Sequence, residues 1–169
     1  MILYHFTSEQ HLAGIARHGL TVGDVPTDIR KMRGRIGVWF SAEPTPESLG
    51  LEGAVVDKKR FRLAVALDEE LPTLHRWTDW SANNVTPETI TALHSAAGVD
   101  SPQHWWIVLG VIPTESIIGC FDVQRGIDVP SWKELAPPAD AVPGVPAWRR
   151  EAWQRQMLKK VRRAIALGR

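Results

Sequence analysis

The stretch Leu3-Tyr4-His5-Phe6-Thr7-Ser8-Glu9-Gln10-His11-Leu12-Ala13-Gly14-Ile15-Ala16-Arg17-His18-Gly19-Leu20 decides how the rest of the chain is understood. Residues 2–7 alternate within a β-prone run and are expected to form a short strand. Ser8-Glu9-Gln10 then supplies a hydroxyl N-cap and an acidic first turn for a helix at about 8–18, which Gly19 closes. Leu12, Ile15 and Ala16 share one face at three- and four-residue spacing, so that face packs on a sheet while Glu9, Arg17 and His18 look outward. A histidine flanked by aromatics at a strand end, beside a helix N-terminus, offers an orientable imidazole next to backbone N–H groups. That arrangement suits a ribose or a phosphate, and it equally suits a structural histidine in a core strand.

Working outward, residues 21–35 lack periodicity and carry Gly23, Pro26, Asp28 and Gly34 among Arg30, Lys31, Arg33 and Arg35, which predicts a basic loop. Residues 36–41 form the next expected strand, ended by Ala42-Glu43-Pro44-Thr45-Pro46, and residues 60–67 another, with Phe61, Leu63 and Val65 alternating inward. Leu74-His75-Arg76-Trp77-Thr78-Asp79-Trp80 has the composition of a ligand-facing loop, or of a helix or turn covering the sheet. Thr86-Pro87-Glu88 starts a helix whose Ile90, Leu93 and Ala97 line one face before Gly98. Residues 105–112 and 117–123 are expected as core strands, and the adjacent Trp105 and Trp106 both turn inward only if both faces of the sheet are covered. Residues 130–146, with Pro137-Pro138, Pro143, Gly144 and Pro146, predict an extended surface connector. Residues 148–167 predict a helix with Trp153, Met157, Val161, Ala164 and Ile165 on one face.

With 169 residues, 44% of them hydrophobic, the chain can bury one core and is expected to be one domain. No apolar run approaches the roughly 20 residues of a membrane span, and residues 1–20 do not have the pattern of a signal peptide. A lone cysteine, Cys120, in an apolar stretch fits a buried strand in a reducing, cytoplasmic setting. Residues 146–169 hold eight Lys/Arg against the single acid Glu151, so an overall charge of +1 hides −6 on the remainder. Such a basic end can meet DNA or RNA, or dock on the acidic body of its own protein. The six histidines include no i, i+4 pair and one cysteine builds no thiolate cage, so no metal is expected. There is no phosphate-binding glycine loop and no nucleophile elbow.

Tyr4-His5-Phe6-Thr7, the helix with Leu12 and Ile15, and Gly19-Leu20 together resemble the first motif of ADP-ribosyltransferases, including the DNA-modifying DarT toxins and the RNA 2′-phosphotransferases. Gly37-Val38-Trp39-Phe40-Ser41 resembles the family's second motif, and the basic run 28–35 the segment ahead of it. The resemblance implies an α+β fold of two small packed antiparallel or mixed sheets with flanking helices. Its expected layout is a transferase-like domain at 1–129, a proline-rich connector at 130–147 and a basic amphipathic helix at 148–169 packed on the same domain. It further implies NAD as substrate, His5 on the ribose, Tyr4, Phe6, Thr7 and Ser41 around it, Trp39 or Phe40 on the nicotinamide, and Arg33 or Arg35 on the pyrophosphate.

The family's third motif carries a glutamate several residues before an Ile-Pro, and here Ile112-Pro113 is preceded by Gln103, His104, Trp105 and Trp106, with no acid among them. Three readings follow: Gln103 or His104 substitutes in part, Glu115 or Glu43 reaches the site from a loop, or the fold binds a ligand without transferring ADP-ribose. The catalytic set under the first reading is His5, Arg35 and His104. His75, Arg76, Trp77 and Trp80 are the expected contacts to the acceptor, a nucleic acid or a protein. A non-catalytic binding module on the same fold is the reading from another class.

Overall fold

A computed structural model describes residues 1–47, 49, 56–97 and 101–167. The alternating opening forms β1 (Ile2–Thr7), which lies between β4 (Val38–Ser41) and β5 (Phe61–Ala66). Against β5 the ladder is continuous, six pairs from Ile2↔Ala66 to Thr7↔Phe61. Against β4 it has one pair, Tyr4↔Ser41. Outward from β4 come β7 (Trp105–Val108) and β6 (Leu74–Arg76), and outward from β5 come β8 (Ile117–Asp122) and β9 (Ile127–Asp128), giving the order β6-β7-β4-β1-β5-β8-β9 with antiparallel neighbours throughout. β2 (Asp24–Asp28) and β3 (Arg33–Ile36) form a second, two-stranded sheet. With helices α1 (Glu9–His18), α2 (Trp77–Asn84), α3 (Pro87–Ala97) and α4 (Arg150–Ala166), the described residues form an α+β fold.

Strand alternation explains how two tryptophans in a row are both used. Odd and even positions of β4 and β7 feed different cores, one on each face of the sheet. Val38, Phe40 and Val108, with Trp106 against them, join Leu3, Leu12, Ile15, Leu63 and Val65. Trp105 and Ile107, with Trp39 against them, join Val25, Trp77, Val85 and Ala97. Each fully buried aliphatic side chain contributes about 1.5–3 kcal/mol relative to exposure. Cys120 is buried in β8, and burial, reinforced by Asp122 and Asp128, pushes its thiol up to about 12, which leaves it inert.

Helix α1 presents Leu12 and Ile15 to the first core as the spacing requires. Gly19 ends it at φ 73°, its N–H donating to the Ile15 carbonyl; a side chain there would overlap the Ile112 carbonyl oxygen. Ser8 occupies the N-cap position, but its hydroxyl bonds His11 Nδ1 at 2.8 Å instead of capping the helix. Helix α3 buries Ala97 and rests Ile90 and Leu93 on the second core, as expected; Gly98 lies outside the described residues.

Five expectations change. Residues 24–36 are a hairpin, not a loop: Val25 alone is buried on it, so no apolar alternation announced it, and Met32 takes φ 52° at its turn. The strand from residue 105 stops at Val108, and Ile112 instead bridges Leu20. The proline-rich segment is more than a surface connector, because Trp132 is buried in the first core and residues 140–145 strap across α1. His18, expected outward, lies under that strap against Gly144. Helix α4 docks through polar contacts to the β3 carbonyls, Arg150 to Ile36 at 3.4 Å and Gln154 to Gly34 at 3.3 Å. Its expected apolar face is largely in solvent: Met157 is 39% and Val161 42% exposed, while the side chains of Ala164 and Ile165 lie outside the described residues. No described helix is long and apolar enough to cross a membrane.

Candidate functional site

The single-pair junction between β1 and β4 is where a site forms. Beyond Tyr4↔Ser41 the strands part, and the His5 ring enters the gap to donate its Nδ1–H to the Trp39 carbonyl oxygen at 2.9 Å. A carbonyl only accepts, so Nδ1 holds the proton and Nε2 keeps its lone pair. Burial lowers the His5 pKa to about 4; the bond to Trp39 opposes that shift, and the charges of Lys58 and His11 add to it. The ring is therefore neutral at pH 7, a fixed acceptor with no competing hydrogen bond at Nε2 among the described residues.

A cavity of about 530 Å³ opens at this gap, within the usual size of small-ligand sites, roughly 300–1,000 Å³. β1 contributes Tyr4, His5, Phe6 and Thr7, and β4 contributes Trp39, Phe40 and Ser41. α1 adds His11, Gly14 and Ile15; the run 19–24 and Pro26 follow, and Val142, Gly144 and Val145 of the strap close the far side with Trp153 and Met157 of α4. The strap is tied down by Val142 N–H to the Gln10 carbonyl at 2.8 Å, by the Gln10 amide to Asp140 at 3.0 Å, and by the Thr21 hydroxyl to the Val145 carbonyl.

The aromatic wall is rigid. Trp39 donates its indole N–H to the Asp24 carbonyl at 2.8 Å and packs on Trp77 at 4.8 Å and Trp105 at 5.6 Å between ring centres. Phe40 meets the His5 ring edge-on at 5.9 Å. Such flat, braced indole surfaces suit an aromatic heterocycle. Ser41 is buried, and its hydroxyl accepts the Glu43 N–H at 2.9 Å, closing the end of β4. His11 is held below its ordinary range by burial and by Lys58.

All seven residues expected from the first two motifs, Tyr4, His5, Phe6, Thr7, Trp39, Phe40 and Ser41, thus line one cavity. The expected arginines do not. Arg33 is exposed on the hairpin, and Arg35 lines a second cleft of about 540 Å³ between β3 and α4 with Arg150 and Arg155. His104 also lies outside the cavity, 3.5 Å from Glu43. Neither Glu43 nor Glu115 reaches the cavity wall. His75 and Arg76 sit on the edge strand β6, and His75 stacks on Trp80 at 6.4 Å. Trp77 corrects the acceptor-contact expectation outright: it is fully buried, donates to His94 Nε2 at 3.0 Å, and holds the second core together.

Three titratable lining residues escaped the sequence reading. Asp24 is the one carboxylate among the described lining residues; partial burial pushes its carboxyl above the ordinary range, although the residue keeps an exposed edge, and Oδ1 lies over Gly34. Lys58 is the one Lys or Arg among them, and His11 completes the set. No protein-family model, curated protein or solved structure matches the chain.

Proposed function

We propose that this chain is an ADP-ribosyltransferase-like protein that binds NAD in the β1/β4 cavity and transfers ADP-ribose to a nucleic acid or protein. The observation that carries the reading is the convergence of Tyr4–Thr7 and Trp39–Ser41, two segments far apart in sequence, on one cavity with a neutral His5 whose Nε2 is open. His5 Nε2 accepts from a ribose hydroxyl, and the braced Trp39 indole flanks the nicotinamide. As the glycosidic bond to nicotinamide breaks, positive charge develops on the ribose, and a carboxylate in place at that moment is worth several kcal/mol. Asp24 is the lining carboxylate available for that role.

A second reading, nucleotide binding without transfer, is favoured by the position of His104 outside the cavity and by the absence of acids at residues 103–106. Calorimetry with NAD, followed by assay of nicotinamide release with DNA, RNA and protein acceptors, separates the two. Transfer predicts NAD binding, release that needs an acceptor, and loss of both in His5→Ala. Binding without release supports the second reading, and no NAD binding at millimolar concentration sinks the first.

A further inference from the structure

The cavity lacks the arginines that the sequence offered for a pyrophosphate, yet one corner of it holds a lysine. Lys58 stands in the turn leading into β5, where Asp57 accepts the Lys59 N–H through Oδ1 at 3.0 Å and its carbonyl oxygen faces the Arg60 N–H. Three residues on, Phe61 pairs with Thr7, so the turn lies beside the end of β1 and the start of α1. Lys58, His5 and His11 line the same cavity, and the charge of Lys58 is felt by both imidazoles. Lys58 makes no ion pair with any described residue, whereas many cations elsewhere do: Arg60 with Asp122, Arg30 with Glu88, Arg155 with Glu151. Asp57, the neighbour of Lys58 in the chain, and Glu9 at the start of α1 are exposed and do not line the cavity. The first turn of α1 adds backbone N–H groups that the Ser8 hydroxyl leaves uncapped, because it is bonded to His11.

A cation with no ion pair among the described residues, the His11 ring and a helix start converge on one end of a cavity whose other end is indole and aliphatic. A ligand that satisfies both ends has an anionic group joined to a flat apolar one. We propose that Lys58, with His11 and the first turn of α1, forms a phosphate subsite that takes the diphosphate of a nucleoside diphosphate group.

This deepens the NAD reading by giving the pyrophosphate a cation, but it can be tested apart from it. Binding of adenosine, ADP, ADP-ribose and NAD to the full chain is measured by calorimetry, and the His11 ring nitrogens are followed by NMR as inorganic pyrophosphate is added. ADP is expected to bind about tenfold or more tighter than adenosine, the value of one charge-assisted contact. Lys58→Met is expected to erase that preference, and Lys58→Arg to keep most of it. Because Lys58 is exposed, both variants should fold, which circular dichroism checks. Equal affinity for adenosine and ADP, or an unchanged preference in Lys58→Met, overturns the subsite. If pyrophosphate moves the His11 signals in a Lys58-dependent way while NAD does not bind, the subsite stands and the NAD reading falls. If NAD binds Lys58→Met undiminished, the subsite falls and the NAD reading stands.

Discussion

Strand β1 has two edges, and they do different work. On the β5 edge six consecutive pairs close the ladder and Leu3, Leu63 and Val65 fill the first core. On the β4 edge one pair holds, and a histidine side chain takes a carbonyl left open by the parted strands. One edge holds the fold together, and the other leaves a gap that a ligand can enter. The continuous ladder and the cavity thus lie on opposite edges of a single strand.

The largest expected effect is on the closed edge. Leu63→Ala removes a fully buried side chain and should cost about 2–5 kcal/mol in denaturant unfolding; a loss under 1 kcal/mol would mean that the closed edge is not where the stability resides. The open edge should announce itself through pH. The native His5 pKa, about 4, lies below the 6.5 of the unfolded chain, so the unfolded state takes up its proton first as pH falls. Its contribution is complete above about pH 6.5 and is lost toward pH 4, up to ~3 kcal/mol for a shift of this size. His11 and His94 shift in the same direction and add to the slope, so His5→Gln should flatten the pH dependence of stability without abolishing it. Identical slopes in the two proteins would remove His5 from the buried gap. The smallest effect belongs to α4, where Val161→Ala should stay within about 0.5 kcal/mol because the side chain is already in solvent. A larger loss in thermal unfolding would show that the helix docks more tightly than its polar contacts to β3 imply.

What the sequence made legible follows the same division. Strand β1, helix α1 and their glycine stop were readable because alternation and helical spacing are local, whereas Trp39 and Phe40 were singled out by the motif resemblance, since their alternation alone fits core packing equally well. The hairpin 24–36 was not readable, since Pro26 and a row of polar side chains hide a strand that buries only Val25. Lys58 and Asp24 carry no motif; they become cavity residues only when the turn before β5 and the hairpin fold against β1 and β4. Trp77 misled for the opposite reason: its polar neighbours suggested a surface loop, while its own ring fills the second core. On α4 the helical spacing was sound, but spacing alone does not supply a partner for an apolar stripe.

The strap over α1 brings Gly14 and Gly144 so close that a Cβ built on either lies 2.8 Å from the other's Cα. Two positions 130 residues apart must both stay bare for the cavity to keep its far wall. A ribosome that has made residues 1–129 has already made all nine described strands and none of that wall. The strands and the wall that closes the cavity are thus written in separate stretches of the message, and a chain cut short after residue 129 would carry every described strand yet lack that wall.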